Sequence, residues 1–208
     1  EMKGEDVSKG KNYLSLQIAK RLVKNFIEFE ESFLKRFNSR GGILNILESE
    51  REFEHQIQVN QKSFTIKGKV DRVDEMNNQI RIIDYKTGKV NKSDVSIRDF
   101  NDLLENPNKS KSLQLLVYAY IYLKNRPQYS DRKVIAGNFS FKNLKEKLLT
   151  VAQYVNNKKQ TIYIDHHVMN NIELLIKNII ERIMREDFVQ TKDKKRCEYC
   201  DYRSICNR

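Results

Sequence analysis

The sequence predicts an α/β fold, because helical and strand-like patterns follow one another along a chain of single-domain length. Residues 12–37 place apolar side chains at steps of three and four, as a long amphipathic helix does. Three segments with strand character follow, over residues 49–60, 62–74 and 79–88. A helix, a further strand and a closing helix come after them. We therefore expect the order αβββαβ, followed by a final helix.

The composition is that of a globular protein rather than a disordered one. Hydrophobic residues make up 39% and charged residues 32% of the 208 positions, and there are two prolines. The sequence contains no run of about 18 apolar residues and no pattern of a secretory signal. We expect a cytoplasmic protein that does not bind membranes.

The first helix is predicted to pack on the core through one apolar stripe. The stripe consists of Leu14, Ile18, Leu22, Phe26, Phe29, Phe33 and Phe37. Gly41 and Gly42 then interrupt the helical pattern. We assign residues 1–47 to this N-terminal helical segment, and residues 48–190 to the core with its closing helix.

The strand over residues 49–60 is predicted to be half buried. Its apolar face carries Phe53, His55, Ile57 and Val59, whereas glutamates and glutamines lie on the other face. Because His55 lies on the apolar face, we interpret it as a core residue rather than a metal ligand.

The second half of the chain predicts two helices and a strand. Residues 112–124 predict a buried helix that is capped by Ser112. Residues 132–141 predict a strand, and residues 165–186 predict the closing helix with Asp165 at its start.

Two asparagines are predicted to set the register of a hairpin. Residues 77–78 are both asparagine, which tolerates the positive φ of a two-residue turn. With that turn, Asp71 faces Asp84 across the hairpin. Asp74 then pairs with Arg81 on the other face, and this opposite-charge pair supports the register.

Two facing aspartates repel each other unless a cation or a shared proton compensates. Lys86 lies two residues beyond Asp84, so it points to the same face of the strand. A divalent cation held by Asp71, Asp84 and the main-chain carbonyl of Tyr85 fits the preference of Mg²⁺ for hard oxygen ligands. The alternative is a solvated hairpin face, since a D-x-K triplet alone is frequent.

A glutamate of the preceding strand is expected near the two aspartates. If Asn60 and Gln61 form the turn before, Asp71 neighbours Glu50 and Lys69 lies opposite Glu52. Which glutamate supports the site stays open among Glu48, Glu50, Glu52 and Glu54.

The positive charge lies in the later part of the chain. The formal net charge is +11; residues 1–60 carry ten basic and ten acidic side chains, whereas residues 61–208 carry 29 and 18. This excess favours a polyanion such as nucleic acid, with a solvated lysine-rich surface as the alternative.

Three cysteines near the end of the chain predict a metal site rather than a disulfide framework. Cys197, Cys200 and Cys206 all lie within the last dozen residues. A structural zinc site is one interpretation of this spacing.

Three motifs together resemble those of the PD-(D/E)XK nuclease superfamily, in particular its RecB-like branch with the AddB-type subunits. They are GKVDRVDEMNNQIRIIDYKTG (residues 68–88), QLLVY (Gln114–Tyr118) and CEYCDYRSIC (residues 197–206). The last two are similar to the Q-x-x-x-Y motif and the C-terminal cysteine cluster of that branch. The resemblance covers residues 48–206 and implies a restriction-endonuclease-like core, with a mixed central sheet flanked by helices.

The resemblance implies a deoxyribonuclease that depends on Mg²⁺ or Mn²⁺, an exonuclease more than an endonuclease. Asp71 and Asp84 would hold the metal, and Lys86 would orient the attacking water or stabilise charge on the phosphorane. Gln114 and Tyr118 would align the active-site helix and the substrate backbone.

The resemblance also implies partners and a biological role. DNA, as a single strand or as duplex ends, would be the substrate, and a helicase subunit or domain would accompany the nuclease. The pair would process double-strand breaks during recombinational repair.

Two ligands that the family uses are missing from this sequence. The family's [4Fe-4S] cluster takes a fourth cysteine from upstream, and its active metal takes a histidine from an N-terminal helix. The histidines of this chain are His55, His166 and His167. We expect this chain to be the C-terminal part of a longer protein, with the cluster incomplete in its tail, residues 191–208.

Two other functions fit the same motifs. One is a non-catalytic module of the same fold that binds DNA or a partner. The other is a CRISPR-associated adaptation exonuclease with a similar core.

Overall fold

The computed structural model describes residues 9–187, 189–191, 197–198 and 200–206. Its helices are α1 (Gly10–Asn38), α2 (Asp102–Glu105), α3 (Ser110–Asn125) and α4 (His166–Arg185). Its strands are β1 (Leu44–Val59), β2 (Lys62–Met76), β3 (Gln79–Lys86), β4 (Ser96–Ile97), β5 (Lys133–Ser140), β6 (Leu149–Thr150), β7 (Ala152–Val155) and β8 (Lys158–Thr161).

A mixed five-stranded sheet forms the centre of the fold, with the strand order β1-β2-β3-β5-β6. The first three strands form an antiparallel meander, and β5 lies parallel to β3 after the crossover through α3. The α/β fold with a mixed sheet and flanking helices is therefore confirmed. A small second sheet, β4-β7-β8, was not predicted from the sequence.

Two layers of helices cover the central sheet. Buried residues of α3 and α4 form one core with apolar side chains of the strands. On the opposite face, Phe26 of α1 packs edge-on against Tyr85, with 5.2 Å between the ring centroids. Strand alternation requires this arrangement, because Tyr85 points away from the side of its neighbours Asp84 and Lys86.

The outer face of α1 differs from the prediction. Part of the apolar stripe does not pack on the sheet, since the side chains of Leu14 and Ile18 are 60% and 49% exposed. The phenylalanines at the C-terminal half of the helix make the contacts with the sheet, through Phe26 and Phe29.

A buried charge network fixes α1 to the sheet. Glu30 of α1 accepts a 2.6 Å hydrogen bond from Arg72, whose guanidinium also lies 2.6 Å from Asp74. Asp74 in turn accepts two hydrogen bonds from Arg81, at 2.6 and 2.8 Å. Burial of these charges is tolerated because each one has an opposite partner.

Both predicted turns form with the expected backbone. The pairs Asn60–Gln61 and Asn77–Asn78 all have positive φ, between 48° and 67°. The register of β2 and β3 is confirmed by the paired positions Val73–Ile82 and Asp74–Arg81.

The helix caps follow the prediction in one case only. Asp165 caps α4 by accepting a hydrogen bond from the amide of Val168 at 2.8 Å. The cap predicted at Ser112 is wrong, because α3 already begins at Ser110. Ser112 is buried, and its hydroxyl donates instead to the carbonyl oxygen of Asp94 at 2.9 Å.

No helix in the described part of the chain is both long enough and apolar enough to cross a membrane.

Candidate active site

Five side chains predicted from the motifs converge where β3 ends. They are Asp71 of β2, Asp84 and Lys86 of β3, and Gln114 and Tyr118 of α3. The antiparallel hairpin brings the two aspartates together, and the crossover helix α3 returns across the same face of the sheet. The candidate site therefore joins residues that are up to 47 positions apart in the sequence.

Asp71 lies beside the backbone of the neighbouring strand. Its Oδ2 accepts a 2.7 Å hydrogen bond from the main-chain amide of Tyr85. The paired positions of β2 and β3 end at Arg72 and Ile83, so the Asp71 carboxylate takes the place of the next backbone acceptor. This contact places the carboxylate of Asp71 next to that of Asp84.

Asp84 is 4% exposed and is held by two donors. Its Oδ2 lies 2.8 Å from the ammonium of Lys86 and accepts a 2.8 Å hydrogen bond from the side-chain amide of Asn138. Burial raises the pKa of Asp84, and the negative charge of Asp71 adds to this effect, whereas Lys86 and Asn138 oppose it. A cation at the carboxylate would relieve the same cost.

Lys86 connects the acidic pair to α3. Its ammonium donates a 2.8 Å hydrogen bond to Oε1 of Gln114. The amide of Gln114 donates in turn to the hydroxyl of Tyr118 at 2.9 Å. The Q-x-x-x-Y spacing is what allows this second contact, because residues four positions apart are neighbours on one helix face.

Gly68 allows the ring of Tyr118 to lie against β2. A Cβ atom at Gly68 would come within 3.0 Å of the Tyr118 ring. Any larger residue would push the ring, and with it the Gln114 contact, away from the strand. The glycine of the motif thus has a packing role three residues before Asp71.

The two carboxylates fit a divalent cation. Among the described residues, neither Oδ1 of Asp71 nor Oδ1 of Asp84 makes a hydrogen bond, whereas each Oδ2 does. Two close carboxylates, one of them buried, with an uncommitted oxygen each are a donor set suited to Mg²⁺ or Mn²⁺. The carbonyl of Tyr85 as a third ligand remains a prediction.

None of the four candidate glutamates hydrogen-bonds or ion-pairs with the acidic pair. Glu50 has a positive φ of 51° and interrupts the regular pairing of β1, and its carboxylate pairs with Lys69 at 2.5 Å. Glu48 pairs with Arg126 at 2.8 Å, and Glu54 pairs with Lys67 at the same distance. The structure therefore does not bring a third carboxylate to the candidate metal site.

The sequence did not single out Asn138, which contacts Asp84 directly. It is fully buried on β5, in parallel register with Asp84 on β3. Its Oδ1 has no hydrogen-bond partner among the described residues. An asparagine within the apolar strand VIAGNFSF was the available signal, because buried amides need partners.

The three cysteines do not assemble a metal site in the described residues. Cys197 is buried, whereas Cys200 is exposed and Cys206 is partly exposed. Within the described ranges, no group of three or more His, Cys, Asp or Glu side chains is placed to hold a metal ion. The iron–sulfur assignment thus gains no support from the structure.

Comparison with known proteins decides the family. The family model of the PD-(D/E)XK nuclease superfamily matches residues 4–207 of this chain. This chain belongs to the PD-(D/E)XK nuclease superfamily. The match extends over all five site residues, and it confirms the family that the three motifs indicated.

A similar protein to this PD-(D/E)XK chain is the AddB-type subunit of the ATP-dependent helicase/deoxyribonuclease of Carboxydothermus hydrogenoformans. The two sequences are 26% identical over 239 aligned positions, which cover 86% of this chain. This chain spans only about a fifth of that relative, 21% of its length.

A solved structure, that of SSO0001, is also similar to this PD-(D/E)XK chain. The TM-score is 0.42 and the sequence identity is 19%, over 86% of this chain and 65% of the other.

Proposed function

We propose that this chain is the metal-dependent nuclease domain of a helicase–nuclease, and that it hydrolyses DNA phosphodiester bonds while double-strand breaks are processed for recombinational repair. The observation that carries the proposal is the placement of the Lys86 ammonium, 2.8 Å from both Asp84 and Gln114 and beside the acidic pair. A D-x-K triplet on a solvated face would not need these contacts.

Lys86 is expected to act on the reacting phosphate through its remaining donor. An ammonium has three N–H donors. Two of them have partners, Asp84 and Gln114, and no third partner exists among the described residues. The third N–H would orient the attacking water or stabilise the charge that develops on the phosphate oxygens.

Tyr118 has a comparable capacity. Its hydroxyl accepts the hydrogen bond from Gln114, which leaves the hydroxyl proton able to donate to a phosphate oxygen of the substrate. Gln114 acts by fixing both Lys86 and Tyr118, since its amide contacts each of them.

Asp71 and Asp84 would hold Mg²⁺ or Mn²⁺ through their uncommitted oxygens. Bound there, the ion would lower the pKa of a coordinated water and neutralise charge on the phosphate. Asn138 and Lys86 would keep the Asp84 carboxylate in one orientation for that purpose.

Cleavage of linear DNA tests the proposed function. In the presence of Mg²⁺ the wild-type chain is expected to degrade linear duplex or single-stranded DNA, whereas Lys86→Ala is expected to be slower by about 10²–10³-fold. Lys133→Ala is the matched control, because Lys133 is an exposed lysine at the opposite end of the sheet, where β5 begins. A Lys86→Ala variant with wild-type activity would contradict the mechanism.

The same assay distinguishes the alternatives. An exonuclease degrades linear DNA and leaves a covalently closed circle intact, whereas an endonuclease cuts both. DNA binding without any cleavage, even with Mn²⁺, would instead indicate a non-catalytic binding module. In the full-length protein, a dependence of degradation on ATP would support a helicase partner.

A further inference from the structure

A group of three lysines lies next to the candidate active site and outside the motifs. Lys92 follows β3, Lys109 directly precedes α3, and Lys159 lies on β8. We refer to Lys92, Lys109 and Lys159 as the lysine cluster. Three separate segments of the chain thus contribute one ammonium group each.

Backbone carbonyls hold two of these ammonium groups close together. The Lys109 ammonium donates to the carbonyl oxygen of Ser93 at 2.8 Å, and the Lys159 ammonium donates to that of Lys92 at 3.1 Å. These two carbonyls belong to consecutive residues. The fold therefore fixes two positive charges at neighbouring points of one loop.

The negative charges around the cluster do not neutralise it. Glu146 pairs with the ammonium of Lys92 at 2.8 Å, and Asp94 pairs with Lys111 at 3.1 Å. Neither Lys109 nor Lys159 forms an ion pair with a carboxylate of the described residues. Burial and the charge of Lys92 lower the pKa of Lys159, as expected for like charges held together.

The cluster is tied to the active site through α3. Ser112 and Lys111 both bind Asp94, so the start of α3 is fixed to the loop that carries the cluster. Lys109 lies five residues before Gln114, which corresponds to about 7.5 Å along a helix axis. A strand of nucleic acid at Lys86 and Gln114 would pass the cluster within a few nucleotides.

An exposed aromatic ring lies directly beside the cluster. Tyr154 of β7 is paired with Lys159 of β8, and its side chain is 49% exposed. Residues that oppose each other in an antiparallel pair lie on the same face. An exposed ring next to lysines is the combination that binds single-stranded nucleic acid, through base stacking and phosphate contacts.

We propose that the lysine cluster and Tyr154 form a binding surface for a single DNA strand, which leads that strand to or from the candidate active site. This inference rests on the proposed function, because it takes DNA as the substrate. Lys109 and Lys159 contact phosphates, and Tyr154 stacks on a base.

Equilibrium binding of a fluorescently labelled oligo-dT, measured without divalent cations over a series of salt concentrations, tests the inference. The double variant Lys109→Gln/Lys159→Gln is expected to lower the magnitude of the slope of log K against log [salt] by about 1.4, since each phosphate contact on a single strand contributes about 0.7. Glutamine keeps a donor for the loop carbonyls, and thermal unfolding checks that the variant remains folded.

The control is Lys62→Gln/Lys133→Gln, which removes the same charge. Both lysines are exposed and lie at the ends of β2 and β5 remote from Asp84. This control is expected to leave the slope unchanged.

The ring is tested separately. Tyr154→Ala is expected to weaken binding of oligo-dT by roughly 5- to 150-fold while the salt slope stays the same. Unchanged affinity of Tyr154→Ala would overturn the single-strand surface.

Failure of this inference can be told apart from failure of the proposed function. An unchanged salt slope in the double variant overturns the surface, and Lys86-dependent cleavage in the same preparation would show that the proposed function still stands. A chain that binds oligo-dT through the cluster and yet cleaves nothing would support the surface and contradict the nuclease.

Discussion

The side-chain amide of Asn138 donates a 2.8 Å hydrogen bond to Asp84, directly across the parallel pair of β5 and β3. It also approaches the main-chain carbonyl oxygen of Asp84 at 3.3 Å. One buried residue therefore contacts both the carboxylate and the backbone of a proposed metal ligand. Asn138 is a positioning residue rather than a ligand in this arrangement.

Asn138→Leu removes this donor while it keeps a similar volume. We expect a higher concentration of Mn²⁺ for half-saturation, by about 10-fold, because a hydrogen bond to a charged group contributes about 1.5–3 kcal/mol. Mn²⁺ binding followed by electron paramagnetic resonance and Mn²⁺-dependent cleavage would both measure the shift.

Asn143→Leu provides the control for Asn138→Leu, since Asn143 follows the same strand and its side chain makes no hydrogen bond with the described residues. The free energy of unfolding of both variants separates a local effect from general destabilisation. Equal Mn²⁺ affinity in wild type and Asn138→Leu would exclude the positioning role.

Local signals account for the part of the site that the sequence predicted. Asn77 and Asn78 adopt the left-handed conformation, and their turn alone determines that Asp71 comes next to the end of β3. The Gln114–Tyr118 contact likewise follows from helix periodicity. These relationships need no knowledge of distant parts of the chain.

Non-local relationships account for what the sequence did not predict. Asn138 contacts Asp84 only because β5 adds in parallel beside β3, and 54 residues separate the two positions. The partners of the glutamates depended on the irregular backbone at Glu50. Neither parallel register nor a local irregularity of a strand leaves a periodic pattern in the sequence.

Glu30→Gln tests the contact between α1 and the sheet. Glu30 and Arg72 are 16% and 8% exposed at their side chains, and they lie 2.6 Å apart. We expect the free energy of unfolding to fall by about 1–3 kcal/mol, because Arg72 would stay buried with less compensating charge. Urea denaturation would measure the change.

The control for Glu30→Gln is Glu28→Gln on the same helix. Glu28 is 61% exposed, and its carboxylate lies 3.8 Å from Lys24. We expect a change below about 0.5 kcal/mol for this surface pair. Equal effects of the two variants would refute the role of the buried network.

Two neighbouring tyrosines of α3 should respond oppositely to loss of the hydroxyl. The hydroxyl of Tyr122 is buried without a hydrogen-bond partner among the described residues, so Tyr122→Phe should be neutral or stabilise by up to about 1 kcal/mol. The hydroxyl of Tyr120 donates to Glu173 at 2.9 Å, so Tyr120→Phe should destabilise by about 1–2 kcal/mol. Thermal unfolding of the pair would measure the difference, and the reverse order would disprove it.

Glu173 should make the stability of the α3–α4 contact depend on pH. Its hydrogen bond with Lys177, followed by those with Lys124 and Tyr120, outweighs burial and lowers the pKa of Glu173 to about 2. The ordinary pKa of glutamate is about 4.3. The stabilisation is therefore fully present above about pH 5 and is lost as the pH falls towards 2.

Glu173→Gln isolates this contribution to stability. The Glu173 side chain is 28% exposed, and we expect the variant to be less stable by about 2 kcal/mol at pH 7, since each unit of pKa corresponds to about 1.4 kcal/mol. The difference from wild type should shrink at pH 3, because protonation of Glu173 then removes part of the same charge. Urea denaturation at pH 7, 4.5 and 3 would follow it. Glu181→Gln, two turns further along α4 and without an ion pair among the described residues, should show no such trend, and a wild-type difference for Glu173→Gln that stays constant from pH 7 to pH 3 would rule out the linkage.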